Sequence, residues 1–392
     1  MAAAFAAGRG WRVVVIDGTT DGGRKILISG GGRCNVLPQA LEPDRFVTDS
    51  SPALLRRLLR SWPLDEQRAF FERDLGIPLA LESESRKYFP ASNRARDVRD
   101  GLVAFVRARD VEVVFGAKLE DLAADPASAS GWIAHTSQGA ILADRVILAT
   151  GGRSVPATGS DGAGLEIAAR IGHRVHPTYP ALTPLVADPP IHVSLSGVSL
   201  PVRLRARSRA HEHEAHGGFL FTHRGYSGPS VLDVSHVAVR SRMAGSDRAK
   251  VLVRWSVLDA NAWTTALREA SGRVANVVSR HVPARLAERL LVEAGVPLDR
   301  QAAELRRAER TGLVDRLTAY ELPWTGDEGY AKAEVTGGGV ALGEVHAATL
   351  ESRVKPGLFL CGELLDAFGP IGGHNFAWAW ATGRLAGLGA TS

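Results

Sequence analysis

The chain has 392 residues, 45% of them hydrophobic and 23% charged, with a net charge of +5. That length exceeds what one hydrophobic core fills, so two or three domains are expected, and the composition excludes a disordered chain. The basic residues are nearly all Arg, and such a total, without a clustered patch, makes no case for nucleic acid.

Residues 2–8 read as helix and 11–17 (WRVVVID) as a buried strand ending on Asp17. The apolar start has no positive segment before it and runs into Arg9 and Arg12, so a helix from the first residue is expected rather than a leader. A helix followed by a strand with an acidic end is the second half of a dinucleotide-binding βαβ unit; the first strand and its G-x-G-x-x-G would lie ahead of Met1. No apolar run approaches the roughly 20 residues of a membrane-spanning helix.

A glycine-rich stretch, DGGRKILISGGGRCN, occupies 21–35. Residues 52–74 have helical spacing that Pro63 breaks into two helices, and 97–110 form another amphipathic helix. VEVVFGAKLEDL and GWIAHTSQGAILADRVILATGG read as strands, the second running into a glycine turn. From about 185 short alternating runs broken by Gly and Pro indicate antiparallel strands. VRLRARSR puts Arg203, Arg205, Arg207 and Arg209 on one face, read as solvated because no aromatics interleave for base stacking. HEHEAH (211–216) falls where a hairpin turn is expected and has no partner spacing for a metal, so no metal site is assigned.

Residues 259–319 read as helices: NAWTTALREASGRVANVVSRH, PARLAERLLVEAG and DRQAAELRRAERTGLVDRLTAY. AEVTGGGVAL returns to strand, and CGELLDAFGPIGGHNFAWAWATG closes the chain with a strand, a glycine crossing and a helix. Cys34 and Cys361 are too few for a disulfide framework; they suit a reducing cytoplasm and read as small buried thiols.

Four segments offer the close backbone approach a dinucleotide needs. Asp17 stands at a strand end suited to a ribose hydroxyl. Arg24 and Lys25 open the second segment, with fixed charge for a pyrophosphate. The third is ILATGGRSVPATGSDGAG. In the fourth, Gly372 and Gly373 open an apolar helix whose free N–H groups and dipole favour negative charge. Trp378 and Trp380 read as core.

GRKILISGGGRCNV, RKYFP, VILATGG…TGSDG, PALTPLV, LFTHRGYSGPSVL, VTGGGV and GLFLCGELLDAFGPIGGHNFAWAWATG resemble, in order, the signature stretches of a bacterial FAD-dependent oxidoreductase family. These flavoproteins are often labelled NAD(P)/FAD-dependent or aminoacetone-oxidase-like, and some resemble bile-acid reductases. The resemblance implies an α/β fold: a Rossmann-type FAD-binding domain over 1–185 and 340–392, interrupted by a β-barrel-like insert over 186–258 and 320–339. That insert carries a helical subdomain over 259–319. FAD is the implied cofactor, with NAD(P)H left open as electron donor and a small molecule as substrate.

The resemblance places Asp17 where the family usually has Glu for the ribose. It puts Arg24, Lys25, Ser29, Gly31, Gly32, Arg33 and Asn35 in the FAD-contacting stretch. Thr150, Gly151 and Gly152 fall in the crossing near the adenosine half, and Gly362, Glu363, Asp366, Gly372, Gly373 and Asn375 at the flavin end. His374 departs from the usual Tyr. In FTHRGYSGP, Thr222, His223 and Ser227 are candidates to face substrate, and His223 reads either as a proton donor or as a turn residue.

Three readings follow. The first is an FAD-dependent oxidoreductase in the cytoplasm. The second is a flavoprotein that modifies RNA, and the third a non-catalytic chain that folds without holding FAD. With the first glycine turn ahead of Met1, the 392-residue form is expected to hold FAD weakly or not at all. The substrate and the oligomeric state are not legible.

Overall fold

The computed structural model describes residues 1–7, 9–128, 131–245 and 248–392. Its chain forms two units: Met1–Tyr179 with Val335–Ser392, and Pro180–Glu334.

In the first unit the helix expected over 2–8 runs Ala2–Ala6, with residue 8 outside the described residues. The strand after it is Val14–Asp17, paired in parallel with Glu112–Phe115. A second parallel pair joins Val146–Leu148 to Leu358–Leu360. Parallel strands covered on both faces read as unbroken apolar runs, as LFL does with all three residues buried; VVVI and VIL read the same way and are half-buried apart from Leu148. Antiparallel strands complete the unit: Leu119–Ala124, Trp132–Thr136 and Gly139–Ala143 in one sheet, Leu37–Pro38, Lys87–Pro90 and Leu79–Glu82 in another.

The helix Ala95–Arg107 buries Ala95, Val98, Leu102 and Val106, the i, i+3, i+4 spacing of one apolar face. Pro63 separates Pro52–Leu59 from Leu64–Ala69, and the second helix continues as a wider turn over Phe70–Asp74. The last helix, His374–Gly389, is buried on nearly every side, and Ala2–Ala6 crosses it closely enough that a Cβ on Gly387 would meet the Ala2 carbonyl at 2.2 Å.

The second unit is built on a seven-stranded antiparallel sheet. Its order is Tyr320–Glu321, Lys250–Arg254, Ser199–Arg207, Glu212–Phe221, Gly225–Ser227, Leu185–Val186 and Gly326–Asp327. The two end strands are two residues each, and the order does not pair them with one another. Helix Pro229–Met243 and the helices Ala260–Glu269, Val274–Ser279, Ala284–Glu293 and Arg307–Thr318 share one core with this sheet, through Leu204, Phe219, Trp255, Trp263, Leu286 and Leu313.

Two expectations for this unit need correction. The first expected helix, 261–281, breaks at Gly272, which has φ 82°, and the third, 299–320, breaks before Arg307; a bridge between Arg273 and Gln301 joins the two breaks. Glu212 to His216 of HEHEAH lie along the strand Glu212–Phe221, and only His211 belongs to the turn, at 208–211, where it bonds Ser208. The reason is charge alternation. Glu212 and Glu214 stand on the same exposed face as Arg203, Arg205 and Arg207 and pair with them across the strands. The Arg stripe is thus a solvated ladder of ion pairs.

Candidate functional site

Within the first unit three of the glycine-rich segments meet around Gly152. Lys25 Nζ donates to Ser154 Oγ (2.6 Å) and to the Ser154 carbonyl (3.1 Å), and lies 3.9 Å from Glu363 Oε2. The Ser154 hydroxyl donates to Glu363 Oε1 at 2.7 Å, and the Thr336 N–H donates to the same oxygen at 2.9 Å. Thr336 Oγ1 in turn accepts the N–H groups of Arg153 (2.7 Å) and Ser154 (3.1 Å). A Cβ on Gly152 would stand 2.3 Å from Thr336 Oγ1 and 2.8 Å from Glu363 Oε1, so only glycine fits.

Around this network the backbone is open where the sequence has glycine. Gly31 (φ 68°) and Gly362 (φ 74°) have left-handed φ, and nothing lies within 4 Å of a Cβ at either. Gly32 (φ 84°), Gly151 (φ 73°), Gly372 (φ 117°) and Gly373 (φ 94°) share that region. Gly372 and Gly373 precede the sixteen-residue helix His374–Gly389, a length that gives its N-terminus a full set of free N–H groups. Thr150 Oγ1 and Asn35 Oδ1 are buried with no hydrogen-bond partner. Open glycine backbone, orphaned buried oxygens, an ammonium and a helix N-terminus suit a phosphate-bearing dinucleotide.

Other expected residues are engaged elsewhere. One oxygen of Asp17 accepts the N–H (2.8 Å) and hydroxyl (2.6 Å) of Thr19. Arg24 bonds Asp21 and holds its carboxyl below the usual range. Ser29 bonds the Ile26 carbonyl, and Arg33 pairs with Glu82 over the Phe89 ring. Asn375 closes the Gly369 turn with two hydrogen bonds.

The Asp366 carboxylate is 1% exposed and accepts Thr48 Oγ1, the Asp49 N–H and Ser50 Oγ. Burial pushes its pKa up in spite of those bonds. It ties the loop before Pro52 to the closing segment. His223 is exposed in the turn between two strands of the second unit, where Thr222 Oγ1 accepts the N–H groups of Arg224 and Gly225.

His374 is 6% exposed; neither ring nitrogen meets a partner in hydrogen-bonding geometry, although the Ala40 backbone lies near. Burial, with Arg45 beside it, lowers its pKa to about 4, so the ring is neutral near pH 7. Burial pushes both thiols, Cys34 and Cys361, up to about 12. Trp378 and Trp380 are core residues whose indole N–H groups bond the carbonyls of Gly362 and Val36.

Sequence reasoning missed Ser154 and Thr336 as members of the network, and Thr48, Ser50 and His176 around Asp366. The signal available for Thr336 was the VTGGGV stretch, whose Thr precedes three glycines. Among the described residues no group of three or more His, Cys, Asp or Glu is arranged to hold a metal ion, and no helix is long and apolar enough to cross a membrane.

A family model described as HI0933-like protein Rossmann domain matches residues 1–389. The chain is 31% identical over 382 residues to the 3-dehydro-bile acid delta(4,6)-reductase of Clostridium scindens, covering 96% of this chain and 92% of that protein. It is 30% identical over 384 residues to the ribosomal RNA dihydrouridine synthase of Escherichia coli, covering 97% of this chain and 92% of that protein. A solved quinol-fumarate reductase with menaquinol molecules matches at a TM-score of 0.50 and 13% identity, over 99% of this chain and 68% of that one, a likeness of fold alone.

Proposed function

The chain belongs to the HI0933-like Rossmann family, and from that premise we propose that it is an FAD-dependent oxidoreductase that reduces a carbon–carbon double bond conjugated to a carbonyl in a small organic molecule. The observation that carries this reading is the meeting of Lys25, Gly152, Ser154, Thr336 and Glu363 beside open glycine backbone in the first unit. The relatives' names support the substrate class. A 3-oxo compound unsaturated at positions 4 and 6 and a uridine share one feature, a C=C conjugated to C=O.

FAD, when bound, supplies the hydride for such a reduction. The chain's own residues bind and orient. Lys25 offers charge to the pyrophosphate, Gly31 and Gly362 let the backbone approach, and Asp17 has a second carboxylate oxygen for a ribose hydroxyl. The N-terminus at Gly372–Gly373 stabilises negative charge. Reduction of an enone also needs a proton at the carbon beside the carbonyl.

The test is anaerobic. Protein loaded with FAD and photoreduced is offered a 3-oxo-4,6-diene steroid acid or a uridine-containing ribosomal RNA fragment. Reoxidation of the flavin by the diene supports the reading, and reoxidation by neither substrate rejects it. Reoxidation by the RNA alone favours an RNA-modifying flavoprotein, a reading with specific support in the 30% identity to the dihydrouridine synthase. Replacing photoreduction with NADH or NADPH decides the electron donor.

A further inference from the structure

We infer that Thr336 is a positioning residue, which with Glu363 as its anchor holds the crossing Gly152–Val155 in a strained, open shape; the inference rests on the proposed FAD reading of the same site.

The crossing carries a conformational cost. Val155 has φ 50°, a left-handed value that a β-branched side chain adopts only under constraint. The constraints are in view on the residues before it. Two consecutive amides, Arg153 and Ser154, point at the single hydroxyl of Thr336. The Ser154 side chain is pulled to Glu363 and its carbonyl to Lys25. Ser154 is 0% exposed and Thr336 1%, so the bond between the Ser154 amide and the Thr336 hydroxyl is shielded from water.

Glu363 thereby changes role. Its Oε1 already takes the Ser154 hydroxyl and the Thr336 amide, and its Oε2 faces Lys25. Its carboxylate is turned inward, so it orients Lys25 and the crossing rather than touching the cofactor. Lys25 spends two of its three N–H donors on Ser154, which leaves the third for a phosphate oxygen.

The test compares Thr336→Val, which removes the hydroxyl at equal volume, with Thr336→Ser, which keeps it. In FAD-free protein, hydrogen exchange at the Arg153 and Ser154 amides should rise about tenfold or more in T336V and stay at the wild-type rate in T336S. The FAD dissociation constant, read by quenching of flavin fluorescence, should rise by about tenfold in T336V and be rescued in T336S.

Val155→Gly in the T336V background removes the strain that the hydroxyl opposes. It should therefore restore part of both losses, or the fold itself if T336V does not fold. Wild-type exchange and affinity in T336V, or a double variant no better than T336V, would overturn the inference. Hydroxyl-dependent exchange in a protein that takes no FAD in any form, wild type included, would leave the clamp standing and reject the cofactor reading with the role built on it.

Discussion

Ser352 Oγ lies 3.0 Å from His173 Nε2, and the other nitrogen of that ring, Nδ1, lies 3.0 Å from Glu344 Oε2. The order of groups is that of a hydrolytic triad, but the surroundings oppose catalysis. Ser352 is 4% exposed, and its oxygen accepts the N–H groups of Val354 (3.0 Å) and Lys355 (2.9 Å). An oxygen saturated by two amides inside a turn is a poor nucleophile. Burial lowers the pKa of His173 even with Glu344 beside it. A fluorophosphonate probe should therefore leave Ser352 unlabelled in the native protein, and Ser352→Ala should cost about 1–3 kcal/mol of stability. Labelling at Ser352, read by peptide mass spectrometry, would make it a second active site.

His374 gives the first unit an acid sensitivity. Its folded pKa is about 4 against an ordinary 6.5, so the unfolded chain binds a proton that the folded one refuses. Its stability contribution is complete above pH 6.5 and is lost as pH falls toward 4. Because its ring nitrogens meet no partner, His374→Leu should cost little at pH 7 and flatten the fall of the melting temperature across that window. His236, held at about 3 by burial in the second unit, keeps a slope of its own, so H374L should reduce the slope without removing it. Superimposable profiles for wild type and H374L would refute the assignment.

Glu293 acts with the same sign at lower pH. Burial alone would raise its pKa, but hydrogen bonds with His192, Tyr320 and Arg289 outweigh burial and hold it at about 2. Folded below its ordinary 4.5, it contributes stability that is present above that pH and lost as pH falls toward 2. Its partners join the turn at His192, the strand Tyr320–Glu321 and the helix Ala284–Glu293 within the second unit. Glu293→Gln should destabilise that unit at pH 7 and make acid unfolding between pH 4.5 and 2 shallower. Equal acid slopes by circular dichroism would count against the pair-held carboxylate.

Much of the framework was legible because it rests on short-range patterns. Alternation from Ser199 to Arg207 marked a strand with one buried face, and the glycine runs marked where backbone must approach closely, which is where Lys25, Gly152 and Glu363 meet. What stayed hidden depends on long-range pairing. Nothing local to Thr336 says that its hydroxyl will receive two amides from residues over 180 positions earlier. HEHEAH looked like a turn because its natural partner, the Arg ladder, lies on another strand. The resemblance puts Asp366 at the flavin end, but nothing in its motif shows that its carboxylate takes the hydroxyls of Thr48 and Ser50, more than 300 positions earlier.

Whether the crossing at Gly152 forms part of an FAD site is decided by an FAD titration of the purified chain beside Gly152→Ala. An alanine Cβ there would stand 2.3 Å from Thr336 Oγ1 and force the network apart. Against the expectation of weak or no binding, the wild type should bind FAD weakly but saturably, with affinity lowered by about tenfold or more in G152A. Absence of saturable binding by the wild type, or equal affinity in a folded G152A, would contradict it.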